Sequence, residues 1–125
     1  MMVLVDSSVW VDHFRNGNSH LQALLSSGQV LCHPYVILEL ACGTPPHRRE
    51  VLEHLGNLPC ATVATHTELL TFIQAHKIYG RGCGMVDVAL LAGTILSPAV
   101  RLWTADKRLH ALAAEFNCAF PAPLY

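Results

Sequence analysis

Four of the nine carboxylates in this 125-residue chain interrupt apolar sequence. Asp6 follows Val3-Leu4-Val5, Glu39 sits within VILELA, Asp87 within GMVDVALL, and Asp106 comes just after RLWTA. The other five, Asp12, Glu50, Glu53, Glu68 and Glu115, have polar neighbours and read as solvated helix faces. A carboxylate is costly to bury without a partner, so the four need an explanation. If the fold gathers them they repel one another unless a hard cation neutralises them, and an all-oxygen set suits Mg²⁺ or Mn²⁺. Ser8 and Thr104 can add hydroxyl ligands or hold waters behind the ligands. A carboxylate-bound metal with open positions fits phosphoryl chemistry, because it makes hydroxide from water and a second ion can stabilise the leaving oxygen. No side chain then has to act as a covalent nucleophile. The backbone N–H groups of Ser7 and Ser8, at a helix start, can bind a phosphate nearby.

Each acid also has a plainer explanation. Asp6 and Asp106 can cap the helices that follow them, Asp87 can complement a helix dipole, and Glu39 can pair with an arginine. Glu39 is the hardest to explain this way, since an acid inside a run of Val, Ile and Leu has no capping duty. Four separate coincidences are the weaker account of four acids in such settings.

The elements that must position these residues alternate. Short apolar runs at Met2–Val5, Gln29–His33, Cys60–Ala64, Val100–Thr104 and Cys118–Phe120 predict strands. Between them lie helical segments: SSVWVDHFR, HLQALLSS after the Asn18–Ser19 cap, PYVILELAC opened by Pro34, and a helix starting at Pro45–Pro46 and running to Pro59. TELLTFIQAHKIY follows a Thr65/Glu68 capping box, MVDVALLAGTIL is halted by Pro98, and Lys107–Phe116 is the last. Strands alternating with helices imply an α/β class with a parallel sheet covered on both faces. In such a sheet the carboxyl ends of the strands line the ligand crevice. Asp6 and Asp106 lie just past strand ends, Asp87 in the first turn of a helix, and Glu39 on the helix after the second strand, so all four can converge.

At these residues the chain resembles the PIN-domain ribonucleases, specifically the VapC toxins of bacterial toxin–antitoxin pairs. The matching pieces are VLVDSSVWVDHFR, ILELACG, GCGMVDVALLA and LWTADKRL, in the family's order and spanning almost the whole chain. The resemblance implies an α/β/α sandwich with a central, mostly parallel sheet of about five strands. It carries over Asp6, Glu39, Asp87 and Asp106 as the acidic, metal-binding catalytic set, with Ser8 and Thr104 in support. It also implies Mg²⁺- or Mn²⁺-dependent endoribonuclease activity, a homodimer, and inhibition by a small cognate antitoxin.

Composition bounds the rest. With 52% hydrophobic and 14% charged residues the chain is no disordered segment, and 125 residues without repeat or linker make one domain, 1–125. So few charges leave part of the surface for another chain. The net charge of −1 becomes +3 without the four acids, so the remainder is mildly basic, as a polyanion binder requires. Arg15, Arg81, Lys107 and Arg108 flank the expected pocket and are candidates for RNA phosphates. Trp10, Phe14, Leu21, Leu24 and Leu25 can line an apolar groove for a partner helix or belong to the core; Trp103 fits strand packing better than base stacking. Five cysteines without a C-x-x-C pair fit free thiols in a reducing compartment. No basic leader precedes Asp6, and the Val88–Val100 run is too short for a span, so a cytoplasmic protein off the membrane is expected.

The eight histidines include His47 and His54 seven apart, without H-E-x-x-H or Cys–His spacing, so zinc is not expected. The segment Gly80-Arg81-Gly82-Cys83-Gly84 follows a long helix rather than a strand, which excludes a dinucleotide fingerprint and leaves a flexible rim. Two other functions compete with the nuclease: an aspartyl-phosphate phosphatase or phosphotransferase, and a non-catalytic binding module. The former usually has a second acid two residues after the first, where this chain has Ser8.

Overall fold

The strand β1 (Met2–Val5) is the middle of the sheet, and Val3, Leu4 and Val5 are fully buried on both of its faces. In the computed structural model, which describes residues 1–121, β1 pairs in parallel with β2 (Val30–Leu31) and with β3 (Val100–Trp103). The order is β2-β1-β3, and the register sets Val3 opposite Val30 and Arg101, and Val5 opposite Trp103. Parallel neighbours need crossovers, and helices supply them. They are α1 (Ser7–Asn16), α2 (Ser19–Ser26), α3 (Pro34–Ala41), α4 (Arg48–Gly56), α5 (His66–His76), α6 (Met85–Leu96) and α7 (Lys107–Glu115). This α/β architecture agrees with the expected PIN-like sandwich.

The sheet, however, has three strands where about five were expected. The fourth and fifth shrink to single parallel bridges, Cys32 to Cys60 and Leu102 to Ala119. Local competition for backbone groups explains both. Beyond Cys60 the Thr62 N–H donates to the Ser97 hydroxyl at 3.0 Å instead of to a strand. At the other edge the Arg101 guanidinium donates to the Asn117 and Ala119 carbonyls, and Pro121 then has no N–H to offer. Helix limits shift similarly. His47 takes a left-handed conformation, so α4 starts after it rather than at Pro45–Pro46, and a left-handed Lys77 stops α5 before Ile78.

Helix α6 is the most buried of the helices, with every residue from Val88 to Thr94 in the interior. Its approach to the Cys60 edge depends on Gly93, where an added Cβ would lie 2.6 Å from the Thr62 carbonyl oxygen. The expected partner groove between α1 and α2 does not form from the five residues named for it. Trp10 and Leu21 are core, while Phe14, Leu24 and Leu25 are half-buried against that core. Burying those two large side chains removes more apolar area from water than leaving them on a groove wall. Trp103 likewise is buried strand packing, 5.2 Å from the Phe120 ring.

Candidate active site

Asp6 lies one residue past β1, and its backbone N–H still bonds the Trp103 carbonyl at 2.9 Å, so it ends the sheet beside Thr104. The Asp6 side chain is buried, and both of its oxygens accept hydrogen bonds. Its Oδ1 accepts the Ser7 N–H at 2.8 Å, and its Oδ2 accepts the Ser8 and Thr104 hydroxyls at 2.7 and 2.8 Å. Those hydroxyls in turn accept the Ala105 and Asp106 N–H groups, each at 3.0 Å. This lattice locks the carboxyl ends of β1 and β3 together and fixes the Asp6 rotamer. Asp6 caps α1 as the plainer explanation held, but the two hydroxyls are an addition that capping does not need.

The other three acids stand around it from separate elements. Glu39, on α3, accepts the Ser7 hydroxyl through Oε1 at 2.8 Å. Asp87, in the first turn of α6, accepts the Gly84 N–H at 3.1 Å. Asp106 caps α7 by accepting the Arg108 and Leu109 N–H groups through one oxygen at 2.9 and 3.0 Å. Each of the three keeps its second oxygen without a hydrogen bond to the described residues. Only Asp6 is buried; Asp87 is half-buried, and Glu39 and Asp106 are exposed, so the apolar sequence around them does not enclose them as expected. It supplies the buried faces of helices whose acids look outward over the sheet edge.

Their charges are felt mutually. Burial, then the neighbouring Asp6 and Asp87 charges, push the Glu39 carboxyl above its ordinary range against the pull of the Ser7 hydroxyl. Burial, then Asp6 and Asp106, raise Asp87 against the Gly84 N–H. No Lys, Arg or His among the described residues forms a salt bridge with any of the four; the one such bridge joins Arg81 to Glu115. Four oxygen donors with no protein cation suit a hard divalent ion in chemistry and charge. As they stand, no three His, Cys, Asp or Glu side chains among the described residues are grouped closely enough to hold one. Closing the set takes rotation of the exposed acids, whose mutual repulsion opposes close approach until a cation compensates it.

The basic residues divide. Arg81 is tied to Glu115 on α7. Arg108 lies across the glycine-rich rim, its Cδ and Nη1 2.8 Å from where a Cβ on Gly82 (φ +80°) would be, and it is the positive φ that favours glycine there. Lys107 is exposed at the start of α7, and Arg15 is exposed at the far end of α1, on a cleft that reaches Glu39. The rim itself touches the site. Burial, then the charges of Asp87 and Asp106, raise the Cys83 thiol. Sequence reasoning missed the Ser7 hydroxyl as the group that orients Glu39. Its signal was the doubled serine after Asp6, of which only the Ser8 hydroxyl and the two N–H groups were assigned work.

No family profile matches the chain. Among curated proteins it is similar to Ribonuclease VapC32 of Mycobacterium tuberculosis, in strains CDC 1551 / Oshkosh and ATCC 25618 / H37Rv. Identity to each is 45% over 118 residues, covering 94% of this chain and 95% of the relative. The match spans nearly the full length of both proteins. With the parallel sheet and the acids at its carboxyl edge, it shows that the chain belongs to the VapC ribonuclease family.

Proposed function

We propose that this chain is a metal-dependent endoribonuclease, the toxin of a toxin–antitoxin pair, acting in the cytoplasm as a homodimer and restrained by a small cognate antitoxin. Family membership supports the ribonuclease; the observation that carries the metal is the convergence of Asp6, Glu39, Asp87 and Asp106 without a protein cation among the described residues. The four acids would hold Mg²⁺ or Mn²⁺, which would supply activated water and offset charge on the reacting phosphate. Asp6 serves as the fixed ligand, because Ser7, Ser8 and Thr104 already hold its orientation. Glu39, Asp87 and Asp106 close from the sides, each through an oxygen not used within the protein. Arg108, Lys107, Arg81 and Arg15 draw the RNA backbone toward the edge, with Arg81 free to do so only after leaving Glu115. No helix among the described residues is long and apolar enough to cross a membrane.

Cleavage of RNA with Mn²⁺ or Mg²⁺, compared between wild type and Asp6→Asn, tests the activity, and thermal melting with and without Mn²⁺ tests the metal. Metal should stabilise wild type by mass action, by about 2.7 kcal/mol at one hundred times Kd, seen as a higher melting temperature, and Asp6→Asn should lose most of that response together with cleavage. Equal behaviour of the two proteins in both assays sinks the reading.

A further inference from the structure

A cleft of about 270 Å³ opens directly beside Glu39, between the end of α1, the end of α3 and the loop before α4. Beyond Glu39 and Arg15, none of its residues has a role in the proposed reaction. Its walls are Phe14, Pro45 and Pro46, its rim carries Arg15 and Thr44, and Glu39 belongs both to it and to the acid set. We infer that this cleft is a nucleotide-specificity subsite, taking the unstacked base of a nucleotide next to the scissile phosphate. The inference rests on the ribonuclease reading and deepens it.

Size, chemistry and charge agree. The volume falls just under the roughly 300 Å³ at which pockets begin to take drug-sized ligands, which suits one flat base. Single-stranded RNA is read by splaying bases out onto aromatic and apolar faces, and Phe14 with the two prolines offers such faces. Thr44 is exposed, and its hydroxyl makes no hydrogen bond to the described residues, so it can answer a base edge. Arg15 is exposed and in no salt bridge among the described residues, and sits where the flanking phosphate of such a nucleotide would run. Continuity through Glu39 sets the cleft beside the acids, so a strand with its phosphate there has a neighbouring nucleotide at the cleft mouth. A protein partner meets the same walls, but the Arg15 cation at the rim favours a polyanion threaded past it.

The test is cleavage of a random-sequence single-stranded RNA pool with Mn²⁺, with the new ends sequenced, for wild type, Thr44→Trp and Arg15→Ala. Thr44→Trp fills the cleft from an exposed loop position, and a melting curve establishes that it is folded. Wild type should show a preference of about tenfold at one position next to the cut. In Thr44→Trp that preference should fall to about twofold or less. Arg15→Ala should keep the preference and lose affinity across all sequences, with the slope of log K on log salt reduced by about one. A wild-type preference that survives Thr44→Trp, or the absence of any preference at the flanking positions, overturns the subsite and leaves the cleft to a protein partner. If wild type cuts no RNA, the ribonuclease reading fails on its own. The same pool retained on the protein then decides the cleft: a base enriched by wild type and not by Thr44→Trp supports it, and equal pools overturn it.

Discussion

Thr104 serves two strands with one hydroxyl, giving its proton to Asp6 and accepting the Asp106 N–H. Thr104→Val keeps the shape and removes both bonds, leaving a buried carboxylate oxygen and an N–H less satisfied. We expect a loss of about 1–3 kcal/mol in urea unfolding and about 10–100-fold in metal affinity or cleavage, with Thr104→Ser restoring most of both. Asp87→Asn separates stability from function in the opposite sense. The Asp87 carboxyl is raised in the folded protein, so its charged form costs stability above that raised range, and the neutral amide removes the cost. Metal-free Asp87→Asn should therefore melt at or above wild type at neutral pH while losing the metal response; a lower melting point would make Asp87 a structural acid. At this scale the sequence was informative where a polar residue stood beside a strand end, as Asp6, Ser8, Thr104 and Asp106 do. It was silent on the link between Ser7 and Glu39, because a contact across 32 residues leaves no local mark.

Elements were legible in proportion to their local signals. The Thr65/Glu68 capping box forms as its spacing requires, with bonds of 3.1 and 2.8 Å, and Pro34 opens α3. The two edge strands were overestimated because apolar runs declare burial, while a ladder also needs free N–H groups, which Ser97 and Arg101 disturb. Gly93 in α6 packs against the Thr62 backbone just past the Cys60 bridge, a contact that its place in an apolar run does not reveal. Gly93→Ala should cost about 1–3 kcal/mol, as overpacking does, because the obstacle is the Thr62 backbone rather than a movable side chain. Gly56→Ala, at the end of α4 with open space around it, should instead gain about 0.4–1 kcal/mol. Chemical denaturation of the pair measures whether close packing or chain entropy governs each glycine.

For the molecule as a whole, the α/β class was legible in the alternation of strands and helices, and acid stability depends on the interior. His33 is buried at the junction of β2 and α3, accepts the Tyr35 N–H at 3.0 Å, and has no partner for Nε2 among the described residues. Burial lowers its pKa below 6.5, so the unfolded chain binds its proton first, and stability should decline as pH falls below about 6.5. Glu39 and Asp87, both raised, act oppositely: the folded chain takes up their protons first, so they restore some stability as pH falls through their raised range. His33→Asn replaces the capping ring nitrogen with an amide oxygen that can also accept, and should flatten the first decline, as read from melting curves across pH; an unchanged slope would assign it to other groups. The central position of β1 has a consequence in time. Its full-length neighbour β3 and the Thr104 hydroxyl lie 98 residues away along the chain. A ribosome therefore adds Thr104 98 residues after Asp6. Because the lattice around Asp6 needs both, this edge of the sheet stays unassembled on a nascent chain until β3 has emerged, whatever the helices in between have already formed.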